Sequence, residues 1–538
     1  MEKQTQNSSH LPALLHFLEQ PESYPHYPEK VEHVQTHISH VFIAPPFVYK
    51  FKKPVDFGFL DYSTLQKRHQ YCQREIELNR RLTDDVYLGI VSICEENGTW
   101  DIRDGTAEDA VEYAVKMKKL PEQYFLHTFL DNDTLTQQHL DRVANKLADF
   151  YNSQEPDDEV LEWGRIEKIK VNTDENFSQT GPFVGQTLDE NTYEAVRYFT
   201  NHYFDRHADL FEKRIAEQRI VDGHGDLHLE HIHITPKKVQ IYDCIEFNDR
   251  FRYGDLAVDL AFLAMDLDFN GRWSEERYFI DQMSEKLEDP DLSEIIDFYK
   301  CYRAYVKGKV KSLQSDEEEV PADERRQAAE TAARYFDLSL RYALLGSQPT
   351  MLVFMGRVGT GKSTLASYLE EKLDIERLST DHIRKTLAGL PLDQRTPASQ
   401  RDELYSSKMS AQTYDTLFDK AESQLQDGNS VILDATFSSR ASRQQLINIS
   451  KKMGGRLFFV EAQASENVIK QRLQHREEQE GVVSDARLED FEQLNDRYQP
   501  PEEIDAGSFV GINTENPVDD TIRQLYLELI DKQIWHSC

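Results

Sequence analysis

The spacing of apolar positions changes character along the chain. Between about residues 30 and 120 they fall in short β-like runs: Val41-Phe42-Ile43-Ala44, Phe47-Val48-Tyr49-Lys50-Phe51 and Tyr113-Ala114-Val115-Lys116-Met117. A charged helical pattern, Leu65 to Leu82, lies between them. From about 125 to 345 the period is mostly helical, with one β-rich interruption near 232–247. The acidic stretch Ser315–Pro321 predicts a solvated break, and a further helix runs through Ala328–Leu345. Gly346-Ser347-Gln348-Pro349 is a short polar punctuation. Beyond it, Met351–Met355, Ser430–Leu433, Arg456–Val460 and Phe509–Ile512 are compact apolar runs separated by helical segments. Such runs read as strands buried on both faces, and their alternation with helices predicts a parallel sheet in a three-layer α/β domain. The expected boundary is 345/346, with one α+β domain over 1–345 and one α/β domain over 346–538.

The strand at Met351–Met355 runs straight into Gly356-Arg357-Val358-Gly359-Thr360-Gly361-Lys362-Ser363, followed by Thr364-Leu365-Ala366 at a helix start. This is G-x-x-x-x-G-K-[ST] in the strand–turn–helix setting that the motif requires. Gly356, Gly359 and Gly361 let the backbone N–H groups, those of Thr360 to Thr364 among them, wrap phosphate oxygens. The helix N-terminus adds partial positive charge. Lys362 is expected to reach the β- and γ-phosphates, and Ser363 to ligate Mg²⁺. The ligand class is a nucleoside triphosphate, ATP or another.

Composition narrows the partners. The formal net charge of −34 over 538 residues argues against a broad surface for duplex nucleic acid. A local groove for a short or single-stranded end stays open. No apolar run reaches the length of a membrane span, and the N-terminus lacks the pattern of a secretory signal. Five cysteines (Cys72, Cys94, Cys244, Cys301, Cys538) carry no C-x-x-C pair, so neither a disulfide framework nor a structural zinc site is expected. A reducing, cytoplasmic setting is the default.

Past the P-loop, Asp381 and Arg384 in Ser379-Thr380-Asp381-His382-Ile383-Arg384 share a face if a helix begins there. The carboxylate could accept a hydroxyl proton and the arginine could hold a phosphate or carboxylate; alternatively Asp381 caps the helix. Asp434 ends the strand Val431-Ile432-Leu433, where it could position Mg²⁺ through water or cap the next turn. Arg472 and Arg476, four apart on a helix, could close over a nucleotide. Together, GRVGTGKST, STDHIR, ILDATF and RLQHR resemble the polynucleotide-kinase-like and zeta-toxin-like P-loop kinases over residues 350–538. The resemblance implies transfer of the γ-phosphate of ATP to a hydroxyl. Asp381 is then the general base, Arg384 the substrate anchor, Asp434 the metal support, and Arg472 and Arg476 lid arginines.

A second constellation lies upstream. Asp222-Gly223-His224-Gly225-Asp226-Leu227-His228-Leu229-Glu230-His231 precedes Ile241-Tyr242-Asp243-Cys244-Ile245-Glu246. It resembles the catalytic loop and metal-binding strand of aminoglycoside-phosphotransferase-like kinases. The resemblance implies a bilobal, protein-kinase-like N-terminal domain, with Asp226 facing the acceptor, His224 bracing the loop and Asp243 on Mg²⁺. Val48-Tyr49-Lys50 resembles the strand of the phosphate-binding lysine, and Glu75 its helix partner, with Lys52 and Glu77 as near competitors. Met117 to Lys119 stands where a hinge would present backbone groups to adenine. One departure matters: His231 occupies the place of the family's metal-ligating Asn, and imidazole is a poorer partner for hard Mg²⁺ than an amide oxygen. No Gly-rich loop precedes the lysine strand. His224, His228, His231 and His233 crowd this loop, but no cysteine or carboxylate spacing completes a transition-metal motif. Asp255 and Asp259, in the helical D-L-A-x-D-L-A spacing downstream, read as structural.

The order of the two blocks resembles a bacterial fusion of an aminoglycoside-phosphotransferase-like domain with a P-loop ATP-binding kinase. The expectation is an ATP- and Mg²⁺-dependent phosphotransferase with two nucleotide sites, its P-loop half the main catalyst. The acceptor is a hydroxyl on a small molecule or on a short single-stranded nucleic-acid end. Alternatives are one active kinase beside a recognition or regulatory module, and a nucleotide-switched binding protein. Oligomeric state is not legible.

Overall fold

Short alternating strands need a sheet with two different faces, and residues 32–118 build one. The computed structural model describes residues 4–96, 99–392, 396–477 and 487–536. Strands β1 (Glu32–Gln35), β2 (Ser39–Ala44), β3 (Phe47–Lys52), β4 (Tyr87–Glu96), β5 (Thr99–Asp104) and β6 (Ala110–Lys118) form an antiparallel sheet in the order β1-β2-β3-β6-β4-β5. Alternation decides the faces. Tyr49 and Phe51 of β3 pack with Phe42, Val91 and Ile93 and with Leu14 and Leu18 of the N-terminal helix Gln4–Leu18. Val48 faces the other way, against Cys72 and Ile76 of helix α1 (Leu65–Asn79). Lys50 and Lys52 share the parity of Val48, so both point to the α1 side. Helix α1 starts where Thr64 caps it, its side chain accepting from the Lys67 N–H at 3.2 Å.

Three strands of this sheet, β1, β4 and β5, are absent from the runs read in the sequence; β1 and β5 are mostly exposed and polar, which hides their period. Beyond the sheet come two short antiparallel pairs, β7 (Ile220–Asp222) with β10 (Tyr253–Asp255) and β8 (Ile232–Ile234) with β9 (Val239–Ile241). Helix α2 (Leu256–Phe269) follows β10 and is buried almost all round, the mark of a core helix. The expected metal-binding strand ends early: β9 stops at Ile241, and Asp243 sits in a left-handed turn with φ 65°.

In the C-terminal part, five strands lie parallel in the order β12-β13-β11-β14-β15: β11 (Thr350–Met355), β12 (Arg377–Ser379), β13 (Val431–Asp434), β14 (Arg456–Gln463) and β15 (Phe509–Asn513). All six residues of β11 are buried, as a central strand covered on both faces must be. Between the strands run α3 (Lys362–Leu373), α4 (Thr380–Leu387), α5 (Arg440–Met453) and α6 (Glu466–Glu477), and α7 (Val518–His536) follows the sheet. Met351, Val353, Leu433 and Phe459 form one core with Leu417 and Leu446 from the helices. The three-residue β12 was not anticipated; it is too short to show a period, and only its apolar Leu378 is a signal.

The compact units do not follow a cut at 345/346. One comprises residues 1–169, 209–267 and 278–293, and the other 170–208, 268–277 and 294–538. The helices Glu190–Arg206, Leu292–Asp316 and Ala322–Leu345 thus belong wholly or largely with the P-loop sheet. Lys372 of α3 shows why: it pairs at 2.5 Å with both Asp189, which caps the first of these helices, and Asp337 of the last. The first unit has its own buried ion cluster. Arg214, wholly buried, reaches Asp289 at 2.9 Å and Asp255 at 2.8 Å. Cys72, Cys94, Cys244 and Cys301 are free and buried, and Cys538 lies outside the described residues. No helix among the described residues is long and apolar enough to cross a membrane.

Two stability predictions come from these packings. Arg214→Leu leaves two carboxylates buried without their cation, so the unit should lose about 3–5 kcal/mol in chemical denaturation; a loss below about 1 kcal/mol would show the cluster to be solvated. His40 is held neutral by burial and by Lys53 and His33, its pKa lowered from 6.5 to about 4. The unfolded chain therefore takes up that proton first. The stability tied to His40 is complete above pH 6.5 and is lost as pH falls towards 4. His40→Asn should flatten the fall in denaturation midpoint across that window.

Candidate functional site

The C-terminal edge of the parallel sheet gathers the first set of candidate residues. A parallel sheet delivers every strand's carboxyl end to the same side, so the loop after β11 and the end of β13 are neighbours. Gly356 opens the loop at φ 134°, and a Cβ there would come within 2.6 Å of the Ala462 carbonyl oxygen. Gly359, at φ 77°, would press a Cβ on Ile469. Only glycine fits either position without strain. Gly361, at φ 95°, stands immediately before α3, whose first residues are Lys362, Ser363 and Thr364.

Ser363 donates its hydroxyl to Asp434 Oδ1 at 3.0 Å. The other oxygen of this buried carboxylate accepts from Arg377 at 3.1 Å, and Arg377 also holds Glu370 at 2.7 Å. Hydroxyl and carboxylate oxygens side by side are the hard donors that Mg²⁺ takes, so the donor set fits that ion. One strand further on, α4 begins directly after β12 and presents Asp381 and Arg384 together: Arg384 donates to Asp381 Oδ1 at 3.2 Å. The Arg384 guanidinium lies over the Tyr405 ring at 4.6 Å. Its Nε is buried and has no hydrogen-bond partner among the described residues. A buried donor left open in this way suits an anionic group on a ligand.

On the opposite flank of the P-loop lies a cavity of about 260 Å³, lined by Gly359, Gly361 and Thr364 together with Arg472, Arg476 and Thr514. Arg472 is not a free lid residue. It donates to the Thr360 carbonyl at 3.2 Å and to the side-chain and carbonyl oxygens of Thr514 at 3.0 and 2.6 Å. It staples the glycine-rich turn to the end of β15. Thr514 and Arg377 were not singled out in the sequence, where neither stands in a motif; only their place at strand ends marks them.

The second set sits in the other unit. Lys50 meets Glu75 at 2.9 Å and Asp243 at 2.5 Å. The competitor Lys52 is engaged too, with Glu75 at 2.7 Å and with Glu246, which also accepts from Tyr62 at 2.5 Å. Glu77 instead faces Arg74 at the surface. Burial alone would favour neutral lysine at both positions, but Asp243, Glu75 and Glu246 outweigh it and raise both pKa values. For Asp243, burial is likewise outweighed, by Lys50 and His231, and its carboxyl is held well below the usual range. Lys52 stands in the sequence as a competitor of Lys50, whose i, i+2 parity it shares, whereas Glu246 was not singled out there and its only signal is its place three residues after Asp243. Met117 lies in the β6 ladder, opposite Val48 and Tyr87. Lys119 is in the connector, where its N–H already donates to the Pro46 carbonyl at 2.9 Å.

The loop that carries Asp226 is fixed from α2. The carboxylate of Asp259 accepts from the backbone N–H groups of His224 at 2.5 Å and Gly225 at 2.8 Å, and from Tyr151 at 3.2 Å. Asp266 accepts from the Leu229 N–H at 3.0 Å. His224, buried, lies 3.0 Å from the Tyr242 carbonyl, and burial lowers its pKa. His231 bridges the loop: Nδ1 is 2.9 Å from the Asp226 carbonyl oxygen and Nε2 is 3.6 Å from Asp243 Oδ2. An imidazole nitrogen thus stands beside the Asp243 carboxylate where a hard cation wants a second oxygen. This donor set does not fit Mg²⁺.

Asp259→Ala removes the acceptor of two buried N–H groups and one hydroxyl. Hydrogen exchange at the His224 and Gly225 amides should quicken about 30-fold or more, the equivalent of about 2 kcal/mol. Asp259→Asn, which keeps one acceptor oxygen, should lie between; unchanged exchange in both variants would remove Asp259 from the loop's support.

The comparisons with known proteins run along both units. The chain is 29% identical over 505 residues to the uncharacterized protein Rv2004c of Mycobacterium tuberculosis, covering 94% of this chain and 95% of that one. Among solved structures, a choline/ethanolamine kinase family protein from Mesorhizobium loti is similar over 60% of this chain and 97% of its own, at 12% identity and TM-score 0.37. A gluconokinase from Sinorhizobium meliloti is similar over 34% of this chain and 91% of its own, at 20% identity and TM-score 0.24. Residues 351–501 match the family model described as AAA domain, and within that stretch stand the P-loop, Asp381, Asp434, Arg472 and Arg476.

Proposed function

We propose that this protein is an ATP-dependent phosphotransferase whose main reaction takes place at the carboxyl edge of the parallel sheet. The observation that carries this reading is the Ser363–Asp434 hydrogen bond of 3.0 Å, which joins the P-loop helix to the end of the adjacent strand. It supports a site for a nucleoside triphosphate with its metal, flanked on one side by a cavity and on the other by Asp381 and Arg384.

In this reading the P-loop amides and Lys362 hold the β- and γ-phosphates, and the cavity beside Arg472, Arg476 and Thr514 takes the nucleoside. Mg²⁺, held by Ser363 and by Asp434 directly or through water, would neutralise charge on the phosphate oxygens. Asp381 accepts the proton of the acceptor hydroxyl as its oxygen bonds to the γ-phosphorus, and the bond to the β-phosphate oxygen breaks, releasing ADP. Arg384, with its open buried Nε, holds an anionic group of the acceptor. The favoured acceptor is therefore a hydroxyl compound that also carries a phosphate or carboxylate. A short single-stranded nucleic-acid end and a small phosphorylated molecule both meet that description.

A second reading concerns the N-terminal unit. Asp226, with His224 behind it, and the Lys50–Glu75 pair support a second kinase-like site. The direct Lys50–Asp243 contact and His231 beside it favour a recognition or regulatory role instead. A screen with labelled ATP across small-molecule, RNA and DNA acceptors separates these. Lys362→Ala and Asp381→Ala should each lower transfer by about 100-fold or more. Asp226→Ala should leave that transfer intact if the N-terminal unit only recognises or regulates. Loss of a second, distinct product in Asp226→Ala would establish two kinases. Absence of any phosphorylated acceptor, with nucleotide binding retained, would leave a nucleotide-switched binding protein.

A further inference from the structure

The four histidines of the loop divide into two kinds. His224 and His233 are spent on the backbone, lying 3.0 Å from the Tyr242 carbonyl and 3.1 Å from the Pro121 carbonyl. His228 and His231 converge on Asp226; His231 Nδ1 is held 2.9 Å from the Asp226 carbonyl oxygen, which leaves its Nε2 as the ligand nitrogen. His228 Nε2 and His231 Nδ1 are each 3.5 Å from Asp226 Oδ2, and the two rings stand 4.0 Å apart. One ligand atom from each of Asp226, His228 and His231 lies within 4.8 Å of the others. Asp243 adds a second carboxylate, 3.6 Å from His231 Nε2.

We propose that this loop binds a divalent transition-metal ion of the manganese-to-zinc class through Asp226, His228 and His231, with the Asp243 carboxylate beside them. Two ligand atoms about 3.5 Å apart subtend a near-tetrahedral angle at an ion about 2.1 Å from each. The His228 Nε2–Asp226 Oδ2 separation of 3.5 Å and the His231 Nε2–Asp243 Oδ2 separation of 3.6 Å match that span. Imidazole nitrogen with carboxylate oxygen is the borderline donor set that selects Mn²⁺, Co²⁺ or Zn²⁺ over Mg²⁺. The scaffold is rigid: Asp259 and Asp266 of α2 clamp the backbone on both sides of Asp226, and Phe262 lies against the His228 ring at 5.5 Å. Access is open on one side, since the Asp226 side chain is 35% exposed while that of His228 is 7% exposed. Sequence spacing hid the site because D-x-H-x-x-H is not a helical or turn-based metal motif. The short helical turn at Leu229–His231 brings its ligands together.

The proposal does not rest on the P-loop reading, and nucleotide-free conditions keep the two apart. The full chain, stripped with chelator, is titrated with Zn²⁺, Mn²⁺ and Mg²⁺ without nucleotide. One Zn²⁺ or Mn²⁺ per chain is expected, with Mg²⁺ failing to compete at about a hundredfold excess. His231→Asn and His228→Gln should each weaken binding about tenfold or more, while Ser363→Ala, at the P-loop, should not. Equal binding by wild type and the His228→Gln, His231→Asn double variant overturns the proposal, as does loss of binding in Ser363→Ala. Should the loop variants not fold, the Co²⁺ absorption spectrum of the wild-type chain decides. Bands of a nitrogen–oxygen site of low coordination number support it, and a spectrum equal to aqueous Co²⁺ overturns it.

Discussion

Parallel pairing of β11 with β13 is the constraint on which the C-terminal site depends. Their register sets Phe354 opposite Asp434, so the turn that leaves β11 and the residue that ends β13 arrive side by side. Extending the same edge by one strand brings in β12 and, at its end, the Asp381–Arg384 pair. Extending it the other way brings β14 and β15, whose following segments supply Arg472 and Thr514. The glycines make the turn possible, but the sheet decides what the turn faces.

The N-terminal unit reaches comparable order by a different route. Its candidate groups come from a strand, a helix and a loop far apart in the chain, and buried carboxylates tie them together. Glu75 receives two lysines because β3 turns Lys50 and Lys52 to one face. Asp259 receives two consecutive amides because α2 is locked in the core beneath the loop. Each carboxylate is costly to bury, and each is matched by cations or N–H donors that leave little freedom for another arrangement.

Much of this was legible in the sequence. The P-loop, the strand ending at Asp434 and the structural character of Asp255 and Asp259 follow from motif and helical spacing, and the Lys50–Glu75 pair from the resemblance to aminoglycoside-phosphotransferase-like kinases. What stayed hidden depends on who meets whom across distance. Arg472 reads as a lid arginine, because its three acceptors lie in segments more than forty residues away. Lys52 reads as a competitor to Lys50, because a sequence does not show that one glutamate can serve both. Asp243 reads as the end of a strand, because a positive φ at a non-glycine residue leaves no mark in composition.

The interleaving of the two units along the chain has a consequence for truncation. The polypeptide leaves one unit for the other at 169/170, 208/209, 267/268, 277/278 and 293/294. The polar break at 346–349 coincides with none of these crossings. The parallel sheet leans on helices that precede that break, through Lys372 and its two aspartates. A cut at that break would part the sheet from these helices, and a fragment that keeps either unit whole must carry three separate stretches of chain.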